Sequence, residues 1–223
     1  MRIDAHQFFT PEHQPEHLGP ILKRNRFDGS IAVASSPEDT RYLLAAALQH
    51  DYIRGVVACC AGPRDLEEFR RHPKFVGVTG MEGGAVPHDV ALPAADLLPL
   101  LERDPGARIA LVHLGLPDGS DAWFRAMEQI ARAPNVYVKA SGLTTQFAQP
   151  WNAACFRPYV RHALACFGPG RLMFGSGWPA GLPVSIWKES LAAFTQAIGP
   201  QSMEAREEML GGAACRFYGI DIL

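Results

Sequence analysis

Short apolar runs alternate with longer stretches of helical periodicity along almost the whole chain. Eight runs have the length and aliphatic composition of buried strands: Arg2–Ala5, Ser30–Ala34, Gly55–Cys59, Phe75–Thr79, His88–Leu92, Arg108–Val112, Val136–Lys139 and Leu172–Gly175. The stretches between them predict helices over Pro37–Gln49, Leu66–Arg71, Asp96–Arg103, Ala122–Arg132, Arg157–Cys166, Ile186–Ala197 and Ser202–Leu210. Strands that alternate with helices indicate a parallel sheet, and eight of them predict an α/β fold, a (β/α)8 barrel of the TIM type.

The connection between the fourth and fifth predicted strands is unusually short. It runs from Gly80 to Pro87, eight residues rich in glycine and without helical periodicity. A parallel crossover needs about a dozen or more residues, so the sequence predicts either a distorted barrel that lacks this helix or one irregular strand. The chain has 223 residues, whereas a standard barrel takes about 250. With no internal repeat and no shift in composition, residues 1–223 are expected to form a single domain.

Composition and charge argue against several classes of function. Lys and Arg number 21 against 23 for Asp and Glu, a net charge of -2, so no nucleic-acid partner is expected. No apolar run approaches the roughly 18 residues of a membrane span, and the first residues lack a signal-peptide pattern. These features predict a cytoplasmic protein with a small-molecule partner, and a homo-oligomer stays open. The cysteines are scattered without metal-site spacing: Cys59, Cys60, Cys155, Cys166 and Cys215.

Catalytic groups of such barrels gather at the carboxyl ends of the strands. The first predicted strand ends in Asp4-Ala5-His6-Gln7-Phe8. Side chains two apart on a strand share a face, so a second histidine at position 8 would make a metal clamp with His6. Phe8 has no lone pair to give. His6 is therefore predicted either as a polar group of the site or as a hydrogen-bonded core histidine.

Three further strand ends carry candidate site residues. His113 follows an apolar strand and precedes Leu114-Gly115, so it is predicted as a metal ligand or a substrate-orienting imidazole, with a structural histidine as the alternative. Lys139 ends the seventh strand, where it would bind a substrate carboxylate or simply be solvated. After the last strand, Gly177 stands where a carboxylate could serve as general base.

Several segments, taken in order, resemble the amidohydrolase-related family of barrel hydrolases. They are RIDAHQFF at 2–9, YLLAAALQHDYIRGVV at 42–57, HPKFVGV at 72–78, VHLGLP at 112–117, NVYVKASGL at 135–143, FGPGRLMFGSGWP at 167–179 and GGAACRFYGI at 211–220. The family includes sugar-acid lactonases, sulfomuconolactone hydrolase and the pyrone dicarboxylate lactonase. The resemblance implies a (β/α)8 barrel, water-dependent opening of a lactone or related bond, and often a single divalent metal of the zinc type.

Only some of the polar site residues of the family are present at the matching positions of this sequence. His6 matches the first histidine of the family's HxH and His113 the histidine of the sixth strand, whereas Phe8 replaces the second histidine and Gly177 the aspartate of GSDWP. Other polar positions of the family are replaced at Ala34, Ala61, Thr79 and Leu116. The resemblance thus implies a metal site of His6 and His113, but two ligands fall short of the three in catalytic zinc sites, which favours no metal. Lys139 and Trp178 are predicted to bind substrate.

Three hypotheses follow for function. A divergent hydrolase would act on a small lactone, or a related cyclic ester or amide, with His6 and His113 as its catalytic residues and an eroded metal site. A catalytically inactive relative would bind a small ligand or a partner protein. A third hypothesis is new chemistry built from Lys139, Cys59 or Glu82.

Overall fold

The barrel predicted from the strand pattern is present in the computed structural model, which describes residues 1–81, 85–147 and 149–221. Its strands, in chain order β1 to β8, are Ile3–Gln7, Gly29–Val33, Ile53–Ala58, Phe75–Thr79, His88–Val90, Ile109–Leu111, Val136–Ala140 and Leu172–Phe174. Each predicted run overlaps one of them, with ends that differ by up to two residues. They form one sheet in the order β1 to β8, and every neighbouring pair is parallel.

The two edges of this sheet meet, so the barrel is nearly closed. Gln7 of β1 forms a parallel bridge with Trp178, four residues beyond β8. The backbone N–H of Phe8 donates to the Trp178 carbonyl at 3.0 Å, and the N–H of Gly177 donates to the His6 carbonyl at 2.9 Å. These bonds join the carboxyl end of β1 to the segment after β8.

Helices surround the strands. In chain order α1 to α10 they are Pro15–Arg24, Pro37–Gln49, Pro63–Phe69, Ala94–Arg103, Asp121–Ile130, Leu143–Gln146, Ala153–Phe167, Trp187–Ile198, Met203–Glu207 and Ala213–Tyr218. Sequence reasoning missed α1, whose interior contains Gly19 and Pro20, residues that weaken a helix. Leu18 and Leu22 lie four residues apart and are both buried, so packing onto the barrel offsets the poor propensity.

The fourth connection is shorter than the others, but both of its flanking strands belong to the barrel. β4 and β5 pair in parallel, with Val78 opposite His88 and Thr79 opposite Asp89. The alternative of an irregular strand at this place is therefore wrong. The predicted loss of the crossover helix concerns residues 80–87, of which 82–84 lie outside the described residues.

The core has two parts. One lies between the sheet and the outer helices, and the other fills the barrel interior with small and aliphatic side chains such as Ala5, Ile31 and Met173. Phe217 and Tyr218 of α10 belong to this interior cluster, so the last helix covers the barrel end opposite the strands' carboxyl ends. Among the described residues, no helix is long and apolar enough to cross a membrane.

Candidate functional site

A cavity of about 310 Å³ opens at the carboxyl ends of the strands, the end where barrel enzymes carry their sites. Two predicted site residues, His6 and His113, line it together. The full set of described lining residues is His6, Val33, Thr79, Gly80, Met81, Asp89, Val90, Ala91, Leu92, Val112 and His113.

His6 is buried at the end of β1, with 6% of its surface exposed. Its Nδ1 is buried and has no hydrogen-bond partner among the described residues. Burial lowers the pKa of His6 well below its ordinary value, and the charges of Lys139 and His113 lower it further. Gly175 allows the close approach of His6, because a Cβ at position 175 would lie 2.6 Å from the Cβ of His6.

His113 is held in a tight turn that directly follows β6. Its φ is 57°, and the next residue, Leu114, has a φ of 55°, a left-handed conformation that costs energy for residues with a side chain. The turn is fixed by Trp123, whose indole N–H donates to the Leu114 carbonyl at 2.9 Å. Ser141 Oγ lies 2.9 Å from His113 Nδ1 and also accepts from the His113 backbone N–H at 3.3 Å. The Ser141 hydroxyl therefore positions both the backbone and the imidazole of His113.

The two imidazoles form an edge-to-face pair. Their ring centroids are 5.0 Å apart and their planes meet at 71°. Burial is the largest cause that lowers the pKa of His113; Lys139 lowers it further, while Ser141 and Asp89 act in the opposite direction. Because both pKa values lie below the ordinary value of about 6.5, both rings are neutral at pH 7 and each keeps a lone pair that can accept a proton.

Lys139 does not line the cavity among the described residues, although it was predicted to bind substrate. Its side chain is fully buried, and its ammonium group donates to Asp89 Oδ2. The ammonium also lies 5.2 Å from the centre of the Tyr218 ring, and the Tyr218 hydroxyl donates to Asp89 Oδ1 at 2.5 Å. Burial lowers the pKa of Lys139 while Asp89 opposes that shift, and burial raises the pKa of Tyr218 well above its ordinary value.

Trp178, the other residue predicted to bind substrate, is separated from the histidine pair. It is buried and contacts Phe9 and His13 edge to face, at centroid distances of 6.0 Å and 5.7 Å. It lines a different cavity, beside Trp187 and Ile21. Of the remaining residues considered for new chemistry, Cys59 is half-buried against the core and Glu82 lies outside the described residues.

Sequence reasoning missed three residues of the site, namely Asp89, Ser141 and Tyr218. Asp89 had a weak signal, because it is a single carboxylate within a three-residue strand, His88–Val90, whose residues are all buried. Ser141 lies two residues after Lys139 at the end of β7. Tyr218 had no local signal, since it is 129 positions from Asp89.

The residues present do not fit the divalent metal that the family resemblance implies. Among the described residues, no group of three or more His, Cys, Asp or Glu side chains is placed to hold an ion. The carboxylate of Asp89 already accepts from Lys139 and Tyr218. That of Asp4 accepts from the Ser176 backbone and from the Trp187 indole, each at 2.8 Å. Two neutral imidazoles remain, one fewer than the protein ligands of a catalytic zinc site.

Comparison with known proteins places these observations in a family context. A family model described as Amidohydrolase matches residues 84–220. The chain is 30% identical to an L-fucono-1,5-lactonase from Burkholderia ambifaria, over 99% of this chain and 96% of the relative. It is 25% identical to an L-fucono-1,5-lactonase from Burkholderia multivorans, over the same shares of each chain. The first alignment spans 285 positions, 62 more than the 223 residues of this chain; the relative therefore carries segments that this chain lacks.

Solved structures agree on the fold. An amidohydrolase from Burkholderia multivorans with bound zinc superposes with a TM-score of 0.87 at 23% identity, covering 99% of this chain and 100% of that one. A protein from Pseudomonas putida, assigned as a 2-pyrone-4,6-dicarboxylic acid hydrolase, superposes with a TM-score of 0.81 at 22% identity, over 100% and 98% of the two chains. At these identities the structural likeness establishes the barrel alone.

Proposed function

Because the chain belongs to the amidohydrolase family, we propose that it hydrolyses a small lactone, or a related cyclic ester or amide, without a metal ion. The observation that carries this proposal is the neutral pair of His6 and His113, 5.0 Å apart on the wall of one cavity. The two 1,5-lactonase relatives support the lactone class. The lack of three side chains placed together to hold an ion, among the described residues, supports metal independence.

His113 is the proposed general base. In the tautomer whose Nδ1–H donates to Ser141 Oγ, the lone pair of Nε2 is free to take a proton from an attacking water. The water oxygen forms a bond to the carbonyl carbon and the ring C–O bond breaks. The proton held on Nε2 then passes to the leaving alkoxide, which yields the hydroxy acid. Ser141 acts through His113 by fixing its tautomer and orientation, and His6 packs edge-on against it.

Binding without turnover is the second candidate function, and the nature of position 177 favours it. Glycine there offers no proton acceptor, and the carboxylate that lines the cavity, Asp89, is already bound on both oxygens. Loss of a general base lowers a rate by about 10²–10⁴-fold. If the histidine pair does not replace the missing carboxylate, the cavity is a ligand site on an inactive barrel.

A lactone panel assayed by pH-stat separates the two functions. We expect hydrolysis that persists in the presence of a chelator and falls at least 100-fold in His113→Gln. His72→Gln is the matched control, because His72 precedes β4 at the opposite end of the barrel. Activity lost on chelation would refute metal independence, and equal activity in His113→Gln and the wild type would remove His113 from the mechanism. Saturable binding with no hydrolysis would support the second candidate.

A further inference from the structure

The walls of the histidine cavity are mostly apolar. Six of its eleven described lining residues are aliphatic or methionine side chains: Val33, Met81, Val90, Ala91, Leu92 and Val112. The polar side chains on the wall are His6, Thr79, Asp89 and His113. A ligand that covers this wall gains free energy from each apolar group it removes from water.

Among the described residues, no cation is available to a ligand in this cavity. Its described lining residues include neither arginine nor lysine. Lys139, which lies behind Asp89, is fully buried, and its ammonium group is neutralised by that carboxylate. A ligand carboxylate would therefore lose its hydration and gain no counter-charge from the described wall, which is strongly unfavourable in a buried site.

A polyhydroxylated ring also matches the wall poorly. Each buried hydroxyl needs a hydrogen-bond partner, and one left unpaired costs the free energy of its desolvation. Asp89, which has the largest acceptor capacity on the wall, already accepts from Lys139 and Tyr218. Ser141 Oγ is occupied by His113. Few partners are left for a set of sugar hydroxyls.

We propose that the cavity selects a neutral lactone that carries an apolar substituent, in preference to a carboxylated or a polyhydroxylated ring. This inference rests on the lactone hydrolase function proposed above. It narrows that function, because the ring carbonyl would lie beside the histidine pair while the substituent covers the aliphatic wall.

Binding and turnover are measured separately with three probes: δ-decalactone, 2-pyrone-4,6-dicarboxylate and L-fucono-1,5-lactone. Isothermal titration gives affinity and the pH-stat gives hydrolysis. We expect δ-decalactone to bind at least tenfold more tightly than either other probe. Tighter binding of the dicarboxylate or the sugar lactone, or no saturable binding of any probe, would overturn the inference. The expected affinity order without hydrolysis would leave the ligand class standing and remove the hydrolase function.

A charge placed on the wall tests the same argument from the other direction. Thr79→Arg adds a cation at a half-buried wall position and should raise the affinity for the dicarboxylate at least tenfold while weakening that for δ-decalactone. Thr145→Arg is the control, because Thr145 is exposed after β7 at the same end of the barrel but does not line the cavity. Equal gains in both variants, or none in Thr79→Arg, would contradict the inference. Leu92→Arg provides a second wall variant should Thr79→Arg fail to fold, as judged by circular dichroism.

Discussion

The buried pair of Lys139 and Asp89 makes a sharp prediction about stability. Their side chains are 0% and 2% exposed, so Asp89→Asn would leave an ammonium group without a counter-charge and with no access to water. Removal of one partner from a buried ion pair costs about 3–5 kcal/mol, whereas domains are typically stable by about 5–15 kcal/mol. The variant should therefore lose a large part of its free energy of unfolding at pH 7.

The loss should shrink as the pH rises. Burial already lowers the pKa of Lys139, and removal of the Asp89 charge lowers it further. The folded variant then binds fewer protons than the unfolded chain, whose lysine keeps a pKa of about 10.4. Stability rises with pH wherever the unfolded state binds more protons, by up to about 1.4 kcal/mol per pH unit for one group.

Urea denaturation at pH 7 and pH 9.5 measures both effects. Asp51→Asn is the matched control, since Asp51 is exposed in a turn and its loss should change stability by about 0.5 kcal/mol or less. The double variant Asp89→Leu with Lys139→Met removes both charges and should recover most of the loss. A cost below about 1 kcal/mol for Asp89→Asn, or a double variant as unstable as the sum of the singles, would refute this account of the pair.

Three further predictions concern the histidine cavity. Gly175→Ala should displace the side chain of His6 and destabilise the fold by about 1–3 kcal/mol, because the new Cβ would lie 2.6 Å from the Cβ of His6. Thermal unfolding measures the effect. Gly62→Ala is the control, because nothing lies within 4 Å of a Cβ at position 62. Because the pKa of His6 is lowered in the folded state, the folded protein binds fewer protons in acid than the unfolded chain. The free energy of unfolding should therefore fall as the pH drops through about 6.5, and the fall should be smaller in His6→Gln than in the wild type. Phe8→His should raise the affinity for zinc above that of the wild type. The centroid of the Phe8 ring lies 6.4 Å from that of the His6 ring, so a histidine at position 8 would place a further imidazole beside His6.

Each of these has a result that would count against it. Equal destabilisation by the two alanine variants would mean that space beside His6 is not the constraint. A wild type and His6→Gln that lose the same stability between pH 7 and pH 5 would place the acid sensitivity elsewhere. Zinc binding by Phe8→His no stronger than that of the wild type, in equilibrium dialysis, would mean that position 8 does not face the pair.

The sequence could locate the elements of this barrel because their signals are local. A strand such as Phe75–Thr79 or Val136–Ala140 has the apolar run and turn residues of a buried strand, which a few residues are enough to reveal. Helix α1 was not predicted from the sequence because Gly19 and Pro20 lower its intrinsic helix propensity. The burial of its leucines depends on the barrel against which the helix packs.

The sequence by itself determined that His6 and His113 stand at strand ends, since position along a strand sets the end at which a residue lies. Only the tertiary structure decided what Lys139 does. Its partners, Asp89 and Tyr218, lie 50 and 79 positions away along the chain and meet it inside the barrel. The stagger of the strands and the packing of the last helix against the barrel bring such residues together. Neither produces a periodic pattern in the local sequence.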